Sequence, residues 1–172
     1  MTDMDKSQLK QALTFHHSNF LNLIESIPDK DFHVGIAGKW SASQQLEHVI
    51  KSIGPVRLAF FLPASILKMV FGTSNRPSRS YEGLVEKYLG KLSAGGKAPP
   101  RFIPTGRTTE VRAHAAKLRH LTESLADNVD SFSEKQLDFL LLPHPLLGKL
   151  TLREMLYFTI YHVQHHQKQI KL

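Results

Sequence analysis

The sequence predicts an all-α fold: a four-helix bundle with a long crossover, containing short helices, between the second and third long helices. Three observations carry this expectation. Four long segments repeat apolar residues at intervals of three and four, two of them open on a capping-box pair, and no stretch alternates apolar and polar residues with the period of a strand.

The first segment, residues 5–26, sets Leu9, Leu13, Phe20, Leu23 and Ile24 on one face, followed by Ile27, and Pro28 closes it. The second starts just after Trp40. In "WSASQQLEHVIKSI" Ser41 is followed three positions later by Gln44, the pair in which each side chain takes up a free backbone N–H of the other. Pro55 lies about four turns in, where its missing N–H and its ring predict a kink or an end. Short helical pieces are expected at 63–71 and 80–93, and "SAGGKAPPRFIPTG" (93–106) reads as loop from its glycines and prolines. The third long helix is expected over 107–130, with Val111, Ala115, Leu118, Leu121, Leu125 and Val129 on one face. "FSEKQLDFLLLPHPLLGKL" (132–150) begins as a short helix and turns at Pro143, Pro145 and Gly148. The fourth helix starts at Thr151, whose partner Glu154 completes a T-x-x-E capping box, and runs to about 170. No repeat or low-complexity tract divides the chain, so residues 1–172 are expected to form a single domain, large enough to bury a core without a metal or disulfide to hold it.

Composition narrows the chemistry. With 41% hydrophobic and 22% charged residues the chain has the make-up of a soluble globular protein. It contains no cysteine, which excludes disulfides, thiolate nucleophiles, iron–sulfur clusters and cysteine zinc sites; any metal must be held by His, Asp, Glu or backbone oxygen. The opening "MTDMDKSQLKQALTFHH" lacks the basic-then-apolar order of a signal peptide, and the expectation is a cytoplasmic location. The longest apolar run, "LAFFLPASILKMVFG" (58–72), is interrupted by Pro63, Ser65 and Lys68 and is shorter than the ~20 residues of a membrane span. It is expected to be a buried connection; covering a bundle face and forming a homodimer contact are the two uses it could serve. The net charge of +7 is dispersed among acids, as in "VEKYLGKL" and "EVRAHAAKLRHLTESLAD", so solvated helix faces are expected and nucleic-acid binding is not.

The segment "TIYHVQHHQKQI" (159–170) carries the strongest chemical signal. Leu152, Met155, Leu156, Thr159, Val163 and Ile170 define the core-facing stripe of the fourth helix, and His162 and His166, four apart, fall in or beside it. Two imidazoles stacked on a buried face need hydrogen-bond partners or an ion. His165 points about 100° away from His166 and should flank that face or meet solvent. The spacing is not that of a zinc protease, which needs Glu directly after the first His, where this chain has Val163. A third ligand has to come from another helix, and His16, His17, His48, His114 and His120 are the candidates. Relative to the apolar arc of Leu46, Val49, Ile50 and Ile53, His48 lies toward the edge.

Together, "KWSASQQLEHVIKS" (39–52) and "HPLLGKLTLREMLYFTIYHVQHHQKQI" (144–170) resemble the DinB/YfiT-like superfamily. The first has its tryptophan, capped helix start and histidine eight residues on; the second has its H-P-x-x-G turn, helix and closing H-x-x-x-H-x-x-Q-I. The resemblance is weakest over 55–105. It implies the family's crossover four-helix bundle and a divalent-metal site on His48, His162 and His166. Three neutral histidines leave positions open for water or substrate, and zinc, nickel and iron all suit imidazole.

The resemblance further implies a metal-dependent enzyme acting on a small molecule. Thiol transfer is the leading reading, with a low-molecular-weight thiol as partner. A metal-dependent hydrolase and a non-catalytic, stress-associated metal-binding protein are the alternatives. Tyr161, His165 and Gln169 are candidates for positioning substrate or supporting the ligands, and Arg57, Lys68, Arg76 and Arg79 for meeting an anionic substrate, solvated surface charge being the simpler reading of each.

Overall fold

The computed structural model describes residues 4–35, 38–106 and 110–170. Helix α1 (Lys6–Ser26) is capped by Asp5, whose carboxylate accepts from the Gln8 N–H while Gln8 returns the bond to the Asp5 N–H. A single turn, α2 (Asp29–Phe32), follows Pro28. Helix α3 (Ala42–Phe61) starts at the expected Ser41–Gln44 capping box.

Pro55 does not end α3. The proline forfeits a backbone bond, a cost of about 3 kcal/mol. Around it Ile53, Val56 and Phe60 are buried in the bundle, each contributing roughly 1.5–3 kcal/mol. Burial outweighs the break, and the helix stops only at Leu62, ahead of Pro63.

The crossover begins with α4 (Ala64–Phe71), bent 113° from α3. The run 58–72 is not the buried connection expected of it: Phe60 and Leu67 reach the core, but Leu58, Phe61, Met69 and Val70 are 59%, 66%, 75% and 58% exposed. Two short helical faces at a sharp bend give each helix a buried and an open side, which run length alone does not resolve. Among the described residues, no single helix is long and apolar enough to cross a membrane. Helix α5 (Tyr81–Ser93) then packs on the last helix, burying Leu84 and Tyr88, and a 3-10 turn (Pro100–Phe102) lies against α3.

Helix α6 (Val111–Val129) buries Ala115, Leu118, Leu125 and Val129. Residues 107–109 of its expected start lie outside the described residues. After α7 (Glu134–Phe139) comes an antiparallel hairpin, β1 (Leu141–His144) and β2 (Gly148–Thr151), with Leu142 opposite Leu150 and His144 opposite Gly148. The sequence shows the turn but not the strands. Each is four residues long, and burial falls on adjacent residues (Leu141 and Leu142; Leu150 and Thr151) rather than alternating. Thr151 ends β2 and caps α8 (Leu152–Gln169) through the expected box with Glu154.

Helices α1, α6, α3 and α8 form the bundle, each packed on the next in that ring order. Its core includes Leu13, Phe20 and Ile24 of α1, Leu46 and Ile53 of α3, Leu118 and Leu125 of α6, and Leu156, Ile160 and Val163 of α8. The first half of α8 is covered on all sides, by α1, α5, α7 and the hairpin as well as α3. Even Arg153 and Glu154 are buried there, and both are ion-paired: Arg153 with Asp138 and Glu134 at 2.6 Å each, Glu154 with Arg76 at 2.7 Å and Arg79 at 2.9 Å.

Candidate metal centre

The bundle brings His48 of α3 against His162 and His166 of α8, with the three residues only 4%, 6% and 5% exposed. Nε2 of His162 lies 3.2 Å from Nε2 of His48 and 3.0 Å from Nε2 of His166. His48 is therefore not an edge residue. Every residue from Gln45 to Ile50 is buried, because α8 covers one side of α3 and the 3-10 turn covers the side that the apolar arc leaves free.

The outer nitrogens fix the tautomers. Nδ1 of His48 is 2.7 Å from the Phe102 carbonyl oxygen, and Nδ1 of His166 is 2.5 Å from Oε1 of Gln45. A carbonyl oxygen only accepts, so both Nδ1 atoms carry the proton and both Nε2 atoms present lone pairs toward His162. His162 can donate from Nε2 to one of them at most, which leaves the other nitrogen facing a neighbour without a proton between them. Further protonation does not relieve this. Burial, reinforced by the neighbouring histidines, holds His162 and His166 well below the ordinary imidazole range. Burial also lowers His48, against the opposing effect of the Phe102 bond. A cation satisfies all three lone pairs at once, and an all-imidazole donor set suits zinc, nickel or iron.

The side chains behind the cluster were not legible as site residues. Gln45 orients His166, and its own Nε2 donates to the Trp40 carbonyl and to Oε1 of Gln169, at 3.4 Å each. Glu47 accepts from the Thr105 N–H and hydroxyl at 2.9 Å and from the Gly106 N–H at 3.1 Å, fixing the segment that follows Phe102. Trp40 lies over the cluster, its ring 4.9 Å from that of His48 and stacked at 6.2 Å on His166. The available signal was the polar pair Gln45 and Glu47 beside His48, interleaved with the apolar Leu46, Val49 and Ile50.

A cavity of about 250 Å³ opens from the cluster. His48 and His162 line it; Val56, Phe71, Leu142 and Phe158 form apolar walls; Tyr88, His144, Lys97 and Arg101 add polar groups. Burial pushes the Tyr88 hydroxyl up to about 12, so it stays protonated.

The sequence matches the DinB superfamily over residues 12–170, a span that takes in most of α1, all of α3, α6 and α8, and the three clustered histidines. The chain belongs to the DinB superfamily. Among solved structures it is similar to YfiT from Bacillus subtilis, described as "a probable metal-dependent hydrolase with an unusual four-helix bundle topology". The two share 18% identity with a TM-score of 0.66, over 99% of this chain and 86% of that one, a likeness of fold. None of the curated proteins matches the chain.

In this DinB bundle the other candidate residues take various places. His165 is half-buried beside the cluster, as its position on the helix predicts, and accepts from Gln169 Nε2 at 2.6 Å. Through Gln169 and Gln45 it connects to His166. Tyr161 packs on Tyr88 and His165 but lies along an outer groove with Tyr81 and Gln164, away from the cavity. Of the remaining histidines, His17 is buried with Nδ1 on the Leu13 carbonyl, His114 is half-buried with Nδ1 on the Glu110 carbonyl, and His16 and His120 stand away from the cluster. Arg76 and Arg79 are committed to Glu154 rather than to an anionic substrate. Arg57 donates to Ser124 and lies over the Phe61 ring, and Lys68 is exposed on α4. The cations bordering the cavity are Lys97 and Arg101 instead.

Proposed function

We propose that His48, His162 and His166 hold a divalent metal ion, zinc, nickel or iron, and that the protein is a metal-dependent hydrolase of small apolar esters or amides. One observation carries this reading: three imidazole Nε2 lone pairs converge beside a largely apolar cavity that His48 and His162 line. Bound there, the ion supplies Lewis acidity, which lowers the pKa of a coordinated water and polarises a carbonyl.

The chain's own residues do the rest. The Phe102 carbonyl and Gln45 hold His48 and His166 in the tautomer that presents Nε2. Only three protein ligands are offered, so an ion held by them would keep coordination positions free for water or substrate. The walls formed by Val56, Phe71 and Phe158 shed water around an acyl chain and strengthen the electrostatics within. The description of YfiT supports hydrolysis ahead of thiol transfer, which rests on the wider family resemblance and would use the same lone pairs to hold a thiolate.

The test is a panel of 4-nitrophenyl esters, anilides and lactones, assayed beside low-molecular-weight thiols with electrophilic acceptors, on protein loaded with zinc, nickel or iron. Hydrolysis that is lost to a chelator and restored by metal supports the proposal. Turnover only with a thiol replaces it with the transferase reading. Full metal occupancy with neither activity leaves a non-catalytic metal-binding protein.

A further inference from the structure

We propose that His144 is a catalytic hydrogen-bond donor that holds the substrate carbonyl oxygen as it becomes anionic. The inference rests on the hydrolytic reading above. His144 ends β1 and lines the same cavity as His48 and His162. Its ring meets Phe158 edge-on at 4.2 Å between centroids, and Phe158 in turn lies 4.8 Å from the ring of His162. Both imidazoles thus contact one phenyl ring and line one cavity, so a substrate of a few atoms can reach both.

The hairpin fixes the tautomer. Nδ1 of His144 accepts the backbone N–H of Leu146 at 3.1 Å and of Leu147 at 3.0 Å, so it carries no proton. The proton sits on Nε2. Burial, with Lys87 adding to it, pushes the pKa down to about 4, so the ring is neutral at pH 7 and is an obligate Nε2–H donor. A neutral imidazole locked in one tautomer acts as an electrophile toward a carbonyl oxygen without consuming a proton. The turn needs only an acceptor at Nδ1, which an asparagine would also provide. What an imidazole adds is an N–H at the Nε2 position, one bond farther out than the amide nitrogen of asparagine.

In the step itself, water adds to the acyl carbon and the carbonyl π pair moves onto oxygen, which strengthens its bond from His144 Nε2–H. When that pair returns, the bond to the leaving group breaks. The water's proton ends on the leaving group, giving a carboxylic acid and an alcohol or amine. His144 lends a hydrogen bond and transfers no proton. A donor of this kind is placed to act mainly in the transition state, so its loss should lower kcat more than it alters KM.

Two substitutions separate this role from the structural one. In His144→Asn, Oδ1 replaces Nδ1 and keeps the turn, but the amide nitrogen takes the place of the imidazole Cδ2 and the donor at the Nε2 position is lost. In His144→Gln, the amide Nε2 keeps a donor near the cavity while the turn acceptor is lost. With metal-loaded protein and 4-nitrophenyl butyrate, His144→Asn should melt near wild type yet lose about 100- to 1000-fold in kcat with little change in KM, whereas His144→Gln should melt lower and keep kcat within about tenfold. Nitrogen-15 NMR of the imidazoles should show His144 as the Nε2–H tautomer, with that proton moving downfield when butylphosphonate, a tetrahedral anion, is added. Wild-type kcat in His144→Asn, an Nδ1–H tautomer, or an Nε2–H resonance unmoved by butylphosphonate each overturns the assignment while hydrolysis stands. No hydrolysis by the metal-loaded wild type removes the parent reading and this one with it.

Discussion

Oε1 of Gln45 accepts a 2.5 Å hydrogen bond from Nδ1 of His166, joining α3 to α8 directly behind the histidine cluster. Gln45 is fully buried and its amide nitrogen is held by Trp40 and Gln169, so the carbonyl end has one orientation. Outer partners of this kind set ligand tautomer and basicity. Gln45→Leu should fold normally and weaken zinc binding by about 10- to 100-fold, read by competition with a chromophoric chelator. Unchanged affinity would show that the His166 tautomer is set by something other than this amide.

Single alanine substitutions test which histidines hold the ion. His48, His162 and His166 each contribute one of the three converging Nε2 atoms, and His165 is bonded instead to Gln169. Replacing any of the three should empty the site in elemental analysis of purified protein, while His165→Ala should stay near wild type. Circular dichroism should show all four variants folded, since a chain of 172 residues can stand on its core. Metal content unaffected by all four changes would defeat the metalloprotein reading.

Glu154 should make stability depend on pH. Burial alone would raise its pKa, but hydrogen bonds from the Arg76 guanidinium and the Arg79 and Thr151 N–H groups overcome that and hold it below the usual carboxylate range. Because the folded pKa is the lower one, the unfolded chain binds more protons between the two values and stability rises with pH there. The contribution is complete above the unfolded value of about 4.3 and is lost as pH falls through the folded value. Glu154→Gln should cost about 3 kcal/mol at pH 7, the low end for a broken buried pair. The low end applies because the arginines left behind are 32% exposed and can rehydrate. Melting should fall by roughly 6–12 °C at pH 7, with the gap from wild type narrowing toward pH 3. A gap independent of pH would assign the loss to packing rather than charge.

What the sequence made legible was periodic or local. The bundle helices follow from apolar residues at threes and fours, and Ser41 and Thr151 cap as their box partners predict because capping involves only four consecutive residues. The His162 and His166 pair follows from helical spacing, whereas His48 needed the family resemblance, since its inward position depends on a 3-10 turn some fifty residues away in sequence. The same limit hid Gln45 and Glu47, whose partners lie on α8 and in the 103–106 loop. It also made Arg76 and Arg79 look available to a substrate, when a glutamate distant in sequence takes up both. Short strands and the open faces of residues 58–72 depend on which surfaces meet in space, which neither spacing nor composition encodes.

The last prediction follows from Glu47, adjacent in sequence to a histidine it does not touch through its carboxylate. That carboxylate is 2.8 Å from Lys51 Nζ and accepts from Thr105 and Gly106, anchoring the loop whose preceding residue, Phe102, receives the His48 Nδ1–H. Burial opposes its ionisation, but the bonds from Lys51, Thr105 and Gly106 prevail and bring the pKa down to about 2, so the anchor is charged throughout the neutral range. Glu47→Gln keeps the shape and removes the charge, and an amide can accept through only one of its two ends, so part of the Thr105 and Gly106 bonding must be lost. Amide hydrogen exchange at Thr105 and Gly106 should speed up, and zinc affinity should fall by about tenfold as the His48 carbonyl partner loosens. The two readouts belong together. Faster exchange with unchanged affinity would show that Phe102 is held in place without Glu47, by its own packing on α3.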